Sequence, residues 1–340
     1  MKAVGLYKYL PIDHEESLLD IEVDKPVPKE REILVKVEAV SVNPVDTKVR
    51  APKENIEEQP RILGWDVAGV VDEVGPDCTL FEPGDEVYYA GSIDRQGGNS
   101  EYHLVDERIV GHKPVLLSYS EAAALPLTTI TAWEGIFDRL GVKMDPRKNA
   151  SKSILIIGAA GGVGSIAVQL AKMAGLKVIG TASRPESSKW AMDRGADFII
   201  DHHEPFLPQL TELGIHNGVN YIFCLHSTDQ HWENMADAIA PQGNICSIVE
   251  TDKHLDLTLL KNKSVTFSWE FMFTRPLYKT GDMIEQYRLL NKVSKFLDDK
   301  KLETTVDTIL SPINANNLQK AHKMIESGRT IGKIVIADFE

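Results

Sequence analysis

A glycine-rich segment at residues 158–164 has the composition of a turn that binds phosphate. It reads Gly-Ala-Ala-Gly-Gly-Val-Gly, follows the apolar stretch 153–157, and is followed directly by a helical apolar pattern. Glycines allow a sharp turn and close approach of a pyrophosphate, and the first turn of a helix offers unpaired N–H groups and positive partial charge. This order predicts a dinucleotide site. Ser165 stands where a P-loop would need lysine, so a nucleoside triphosphate site is not supported.

The residues after the second strand of this region indicate which dinucleotide is bound. A site selective for NAD usually has Asp or Glu there, which accepts a hydrogen bond from the ribose 2′-hydroxyl. Ser183, Arg184 and Ser187 occupy this stretch instead, and they can donate hydrogen bonds to a 2′-phosphate. We therefore expect NADP(H). The alternative, in which Arg184 is an ordinary surface residue near Glu186, stays open at this point.

Composition disfavours several other classes of protein. The 340 residues carry a formal net charge of −13, which argues against nucleic-acid binding because phosphate backbones are bound by clustered cations. No apolar run is long enough to span a membrane, and the first residues lack an apolar signal sequence, so we expect a cytoplasmic protein. The three cysteines, Cys78, Cys224 and Cys246, have neither metal-ligand nor disulfide spacing.

The elements that must position these residues fall into two regions. The first 120 residues contain short strands separated by Gly and Pro, among them 33–42, 66–75 and 85–91, a pattern typical of a barrel-like β domain. A helical pattern starts near Ser120, which we predict to be its N-cap. From residue 153 onward strands alternate with helices, which predicts a parallel sheet covered by helices.

Motifs spread over almost the whole chain resemble those of one family. The segments NPVDTKVR (43–50), LGWDVAGVV (63–71), GDEVYYAGS (84–92) and AAGGVGS (159–165) are similar to those of medium-chain dehydrogenases/reductases of the quinone oxidoreductase-like branch. More narrowly, they resemble the group labelled zinc-type alcohol dehydrogenase-like proteins. The resemblance implies an α/β protein with two domains and hydride transfer from a nicotinamide in the cleft between them. The implied domains are a GroES-like β-barrel (1–122 and 275–340) and a doubly wound Rossmann domain (123–274).

Many members of this family hold a catalytic zinc ion, and the corresponding positions can be read in this chain. Asn43 replaces the cysteine of the first loop, and Trp65-Asp66 replaces the His-Glu pair. The segment 127–135, where a second cysteine would stand, contains none. Zinc needs three or four ligands that converge at fixed distances, so we expect no bound metal.

The resemblance also implies catalytic roles for Asn43, Asp46, Lys48 and Thr131 near the nicotinamide. Asn43 is equally consistent with a turn residue before Pro44, where asparagine is common. Lys48 stands where many quinone reductases carry tyrosine, and a cation there would stabilise an enolate. Thr131 matches a family threonine, with an ordinary helical threonine as the alternative.

Further residues are expected, on the same resemblance, to bind the cofactor and the substrate. Trp65, Phe271 and Phe273 would line the substrate pocket, with core packing as the alternative for Trp65. His202 aligns with a family tyrosine near the adenosine 2′-phosphate. The residues expected to bind the cofactor are Gly161, Gly162, Val163, Ser183, Arg184, Ser187, His202, Ile248, Val249, Gly332 and Lys333.

The expected function is NADPH-dependent reduction of quinones or α,β-unsaturated carbonyls by direct hydride transfer without a metal. Without a Lewis acid a simple ketone lacks its main polarising group, whereas hydride addition to an enone spreads the developing charge over an enolate. Two alternatives remain open: a zinc-dependent alcohol or aldehyde dehydrogenase with an unrecognised ligand set, and a non-catalytic NADPH-binding protein. We also expect a homodimer, in which the apolar segment 264–273 could provide an edge strand.

Overall fold

A computed structural model describes residues 1–339, which form two compact units. Unit 1 contains Met1–Ile130 together with the chain from Phe273 onward, and unit 2 contains Thr131–Met272. The helix at Tyr119–Ala123 packs on the strands of unit 1, and the chain leaves that unit after Ile130. No helix among residues 1–339 has the length and apolar character needed to cross a bilayer.

Unit 1 is built from antiparallel strands, as the β-rich texture of its sequence predicts. One sheet has the order β2-β1-β4 and the other β15-β16-β3-β5-β6-β8, with β7 also paired to β3; only β15 and β16 run parallel. The strands are β1 Lys2–Tyr9, β2 Leu19–Glu22, β3 Glu32–Val42, β4 Lys53–Ile62, β5 Val67–Val74, β6 Glu86–Tyr89, β7 Tyr102–Asp106, β8 Val110–His112, β15 Val306–Leu310 and β16 Lys333–Ala337.

Helices pack against the strands of unit 1 and connect them. They are α1 Pro44–Arg50, α2 Tyr119–Ala123, α3 Pro126–Trp133, which continues into unit 2, α10 Thr274–Tyr278, α11 Glu285–Asp298 and α12 Ala315–Glu326. The predicted N-cap Ser120 is wrong: Ser118 caps α2, and the backbone N–H of Ser118 in turn donates to Glu121 at 2.9 Å. This reciprocal capping box selects the earlier serine, because only Ser118 has an acidic residue three positions later.

Strand β3 lies at the centre of unit 1. Alternation in its sequence predicts one exposed face, yet eight of its eleven residues are buried. Both faces are covered because α2 and α12 pack on it. Its last residues pair with the start of β16, and Val40 pairs with Val67 at the start of β5, so three strand ends meet where β3 leads into α1.

Unit 2 is a doubly wound parallel sheet with the order β11-β10-β9-β12-β13-β14. This order places a topological switch point between β9 and β12, the position where such sheets bind dinucleotides. The predicted fold class, Rossmann sheet plus GroES-like β domain, is therefore confirmed.

The strands are β9 Ser153–Ile157, β10 Lys177–Thr181, β11 Phe198–Ile200, β12 Val219–Cys224, β13 Ile239–Ser247 and β14 Thr266–Trp269. A π-helix at Glu134–Arg139 follows α3, and the α-helices are α4 Pro146–Asn149, α5 Gly162–Met173, α6 Pro185–Asp193, α7 Phe206–Glu212, α8 Thr228–Ala238 and α9 Thr258–Lys261.

Candidate active site

The glycine-rich turn connects β9 to α5 at the switch point of unit 2. Gly158 has φ +87°, a left-handed conformation that favours glycine, and its N–H donates to the Thr181 hydroxyl at 3.1 Å. A Cβ on Gly164 would lie 2.3 Å from the Gly158 carbonyl oxygen, so the helix packs on the turn only with glycine there. A Cβ on Gly161 would instead meet its nearest neighbour at 3.6 Å, which leaves one side of the turn open.

The open side of the turn faces the amino end of α5, a helix of 12 residues. The first N–H groups of a helix have no partner within it, so those of Gly162 and Val163 are suited to bind an anion. Both residues are only partly buried, as is Gly161. The predicted residues Gly161, Gly162 and Val163 therefore fit the pyrophosphate of a dinucleotide.

The ends of β10 and β11 bring together three of the residues expected near the adenosine ribose. The two strands are paired, and Ala182 N donates to Ile200 O at 3.1 Å, so Ser183 and His202 follow neighbouring strand ends. Ser183 is exposed, and the His202 side chain is half-buried. Arg184 lies beside Ser183, is about one third exposed and pairs with Glu186 at 3.4 Å.

Ser187 has a different role from the one expected. It is buried in the first turn of α6, and its hydroxyl donates to the Arg184 carbonyl at 2.9 Å. The Arg184 N–H lies 3.3 Å from the same hydroxyl oxygen. These contacts hold the backbone that carries Arg184, so Ser187 positions the loop rather than presenting a free donor to a ligand.

Ile248 and Val249 follow β13 and are partly buried. Two buried hydroxyl groups that sequence reasoning missed fix this loop. The Thr228 hydroxyl lies 2.5 Å from the Ser247 hydroxyl and donates to the Val249 carbonyl at 2.5 Å, while Ile248 N donates to Cys224 O. The sequence signal for this pair is weak, since a single Thr at a helix start and a single Ser at a strand end are common in any α/β sheet.

The three aromatic residues expected in a substrate pocket have different surroundings. Trp65 and Phe273 are buried in unit 1 with ring centroids 6.2 Å apart, and the Trp65 Nε1 donates to Ser92 O at 3.1 Å. Their placement corresponds to core packing, the alternative named for Trp65. Phe271, in unit 2, is 45% exposed and follows β14. Thr131, expected near the nicotinamide, is buried in α3.

A buried ionic cluster, here called the Lys333 cluster, lies where β3, β5 and β16 converge in unit 1. It consists of Lys333, Asp66, Asn43, Ser41 and Asp46, none more than 3% exposed. The Lys333 ammonium donates to Asp66 Oδ2 at 2.9 Å, to Val42 O at 3.1 Å and to the Asn43 side-chain oxygen.

Asp66 is the acceptor at the centre of the Lys333 cluster. Its Oδ2 also accepts from Asn43 Nδ2 at 2.8 Å and from the Ser41 hydroxyl at 2.9 Å, and its Oδ1 accepts from Leu127 N at 2.7 Å in the first turn of α3. A buried carboxylate with this many donors holds its neighbours in one arrangement. Lys333, expected to bind the cofactor, instead directs its ammonium to Val42, Asn43 and Asp66 within unit 1. The preceding residue, Gly332, has φ +57° and turns the chain into β16.

Asp46 is the second carboxylate of the Lys333 cluster. It accepts hydrogen bonds from Asn43 N at 2.7 Å and from Gly64 N at 3.0 Å. Burial raises the pKa of Asp46 to about 7, although both N–H groups and Lys333 act in the opposite direction. Asn43 and Asp46 therefore secure the first turn of α1 instead of facing a ligand, whereas Lys48, on the same helix, is exposed.

Two family models match the sequence of this chain. The alcohol dehydrogenase GroES-like domain matches residues 29–130, and the zinc-binding dehydrogenase domain matches residues 162–286. A zinc-type alcohol dehydrogenase-like protein of Staphylococcus aureus is 44% identical over 99% of both chains. The chain belongs to the medium-chain dehydrogenase/reductase superfamily. The resemblance seen in its motifs is thereby confirmed, and the protein is an oxidoreductase of this superfamily.

Two further relatives of this medium-chain dehydrogenase/reductase have informative descriptions. A 2-methylene-furan-3-one reductase of Solanum lycopersicum is 30% identical over 99% of this chain and 79% of its own length. The crystal structure of a Rhizobium etli protein, provisionally described as a zinc-dependent alcohol dehydrogenase, has 52% identity and a TM-score of 0.95 over 100% of this chain and 98% of its own.

The zinc ion implied by these names does not fit the residues of this medium-chain dehydrogenase/reductase. By the motif resemblance, Asn43 and Trp65-Asp66 stand at the zinc-ligand positions of the family, and in the structure Asn43 and Asp66 bind the Lys333 ammonium. A Zn²⁺ ion among these oxygens would have to displace that ammonium from a buried site. Moreover, no group of three or more His, Cys, Asp or Glu within residues 1–339 is arranged to hold a metal ion. We derive no chemical step through zinc.

Proposed function

We propose that this protein is an NADPH-dependent oxidoreductase that reduces quinones or α,β-unsaturated carbonyls by direct hydride transfer without a metal. The observation that carries the proposal is the Lys333–Asp66 ion pair, because a protein ammonium binds Asn43 and Asp66, which the motif resemblance aligns with zinc-ligand positions of the family. A reaction that proceeds without a Lewis acid favours acceptors whose developing charge spreads over an enolate or a hydroquinone. The reductase description of the tomato relative is consistent with such an acceptor.

The contacts of unit 2 support the choice of cofactor. Gly161, Gly162 and Val163 offer an open turn and helical N–H groups for the pyrophosphate. Ser183 and Arg184 stand at the end of β10, where a carboxylate would select NAD instead. When bound, the reduced nicotinamide supplies the hydride. The loop after β13, held by Thr228 and Ser247, would position the nicotinamide side of the cofactor.

Exposure divides the four predicted catalytic residues into two groups. Asn43, Asp46 and Thr131 are buried and would act by positioning. Lys48 is exposed on α1, and we assign it the role of stabilising negative charge on the acceptor oxygen. Phe271, which follows β14 and is 45% exposed, would either contact an apolar acceptor or lie at a subunit interface.

The same proposal includes a homodimer. Strand β14 forms one edge of the sheet in unit 2, and Trp269 and Phe271, at its end, are 46% and 45% exposed. An unpaired edge with exposed aromatic side chains is suited to pair with a second copy. Sedimentation of the purified protein, with Trp269→Glu as the variant expected to dissociate it, tests this assembly.

The function is tested by the oxidation of NADPH, followed by absorbance, against a panel of quinones, enones and simple aldehydes. We expect turnover with quinones or enones that is unchanged by a zinc chelator. Activity on aldehydes that disappears with the chelator would support the zinc-dependent alternative. Tight NADPH binding without turnover across the panel would support a non-catalytic protein. Lys48→Met should lower kcat and leave NADPH affinity unchanged. The control variant Lys36→Met, at an exposed lysine on β3, should change neither kcat nor NADPH affinity.

A further inference from the structure

Four histidines lie close together at the carboxyl edge of the sheet in unit 2. This histidine cluster consists of His202 and His203, which follow β11, His226, which follows β12, and His231, in α8. The ring centroids of His202 and His203 are 4.3 Å apart, and those of His202 and His231 are 6.2 Å apart. Such a concentration of imidazoles has no evident role in the core, since His203 and His226 are exposed.

The histidine cluster adjoins the phosphate-binding turn. A Cβ placed on Gly158 would lie 3.6 Å from the Cβ of His226, and Leu225 N donates to Ile157 O at the end of β9. At its other end the cluster includes His202, which follows the strand paired with β10 and hence neighbours Ser183. The imidazoles therefore extend from the pyrophosphate turn to the proposed 2′-phosphate site.

Charges of both signs lie beside the histidine cluster. Asp201 accepts from the His203 ring at 2.9 Å, and Asp229, at the start of α8, is paired with Lys253 at 2.9 Å. Burial, followed by the charge of His203, lowers the pKa of His202. Burial and the neighbouring His202 and His226 lower the pKa of His231 to about 4, with Asp229 acting weakly the other way. Burial, together with the charge of neighbouring histidines, thus disfavours protonation of His202 and His231.

We propose that the histidine cluster couples the binding of NADP(H) to proton uptake, so that the 2′-phosphate is held by imidazolium groups that form on binding. This inference rests on the proposed use of NADP(H) and adds a pH control to that same site. A phosphate dianion beside neutral imidazoles favours their charged form and raises their pKa. Binding then consumes protons wherever the pH lies between the free and the bound pKa.

The sign of the pH dependence separates this arrangement from binding by fixed cations. A phosphate monoester has a second pKa of about 6 and is a dianion above pH 7, so Arg184 alone gives an affinity that is constant between pH 7 and 8.5. If binding takes up one proton, the affinity for NADPH falls by up to about tenfold for each unit by which the pH rises. NADH, which lacks the 2′-phosphate, serves as the matched ligand.

The experiment is isothermal titration of the whole protein with NADPH and with NADH between pH 7 and 8.5, in two buffers of different ionisation enthalpy. We expect uptake of about half a proton or more for NADPH at pH 7, almost none for NADH, and an NADPH affinity that falls at least about threefold between pH 7 and 8. The double variant His202→Asn/His226→Asn should lose the uptake and the pH dependence. His216→Asn, an exposed histidine before β12, should retain both.

Each outcome of the titration shows whether the inference alone fails or whether the proposed cofactor fails with it. NADPH binding with no proton uptake in the wild-type protein overturns the inference and leaves the proposed cofactor intact. Uptake that persists in a folded double variant also overturns it. Failure of NADPH to bind, or equal affinity for NADH at every pH, refutes the proposed cofactor and the inference together. Because the wild-type protein gives the first answer, the test stands even if the double variant does not fold.

Discussion

The side-chain ammonium of Lys333 lies 2.9 Å from a carboxylate oxygen of Asp66, and neither residue is more than 3% exposed. The pair joins β16 to the start of β5, and through Asn43 it reaches the first turn of α1. Removal of one member of such a pair leaves the other charge buried and uncompensated, which typically costs about 3–5 kcal/mol. The pair therefore holds together the part of unit 1 that carries the predicted catalytic helix.

Lys333→Met should lower the free energy of unfolding by about 3–5 kcal/mol, because Asp66 then remains buried without its cation. The double variant Lys333→Met/Asp66→Asn should be more stable than the single variant, since it leaves no buried charge unpaired. Urea unfolding measures the free energy of unfolding of both variants. The control is Lys36→Met, at an exposed lysine, which should change stability by less than about 0.5 kcal/mol. Equal stability of the Lys333 and Lys36 variants would show that the ion pair does not stabilise the fold.

Asp46 should make a pH-dependent contribution to stability. Its pKa is raised from an ordinary value of 3.8 to about 7, so the folded state binds more protons than the unfolded state between these values. The stability that this group contributes is present below about pH 4 and is lost as the pH rises through 7. Asp46→Asn, which cannot titrate, should therefore lose less stability relative to wild type at pH 8 than at pH 5. Unfolding midpoints of the two proteins across this range give the difference, and a constant difference would contradict the prediction.

Local patterns were enough to predict most of the elements. The strand over 33–42 and the alternation of strands and helices after residue 153 correspond to β3 and to the sheet of unit 2, because periodicity is a property of consecutive residues. The helical pattern after Ser120 was predicted less well. It is divided into α2, α3 and a π-helix, with Pro126 starting the second of these.

The Lys333 cluster could not be predicted in the same way. Lys333 and Asp66 are 267 positions apart in the sequence, and the antiparallel pairing of β3 with both β16 and β5 brings them together. The motif resemblance aligns Asn43, Trp65 and Asp66 with zinc-ligand positions of the family, yet nothing in those residues indicates which group neutralises Asp66. The histidine cluster has the same origin, since His202 and His203 follow one strand and His226 follows another that is not its neighbour in the sheet.

Arg184 should set the preference for NADP(H). Arg184→Ala should weaken NADPH binding by roughly five- to tenfold, as expected for the loss of a partly exposed charge-assisted hydrogen bond, and should leave NADH binding unchanged. The measurement is a fluorescence titration with both cofactors. Arg147→Ala provides the control, because Arg147 is a highly exposed arginine in α4, which precedes β9. A similar loss for both cofactors would indicate that Arg184 contacts a part of the molecule that they share.

Two glycines of the phosphate turn should respond differently to the same added methyl group. In Gly164→Ala the Cβ would lie 2.3 Å from the Gly158 carbonyl oxygen, so α5 must shift and the protein should unfold at a clearly lower temperature. In Gly161→Ala the Cβ has 3.6 Å of clearance, and φ at this residue is −72°, so the fold should be retained. That methyl group would nevertheless occupy the open side of the turn, where we place the pyrophosphate.

We therefore expect Gly161→Ala to unfold near the wild-type temperature and to bind both NADPH and NADH at least about tenfold more weakly, because the pyrophosphate is common to the two cofactors. Thermal unfolding first distinguishes Gly164→Ala from Gly161→Ala. Titration of the stable Gly161→Ala protein with NADPH and NADH then tests the pyrophosphate site. Normal cofactor affinity in a stable Gly161→Ala protein would mean that the phosphates lie elsewhere. Since the same methyl group is added to the same turn in both variants, the difference between them reports on the space beside each glycine rather than on the loss of backbone freedom.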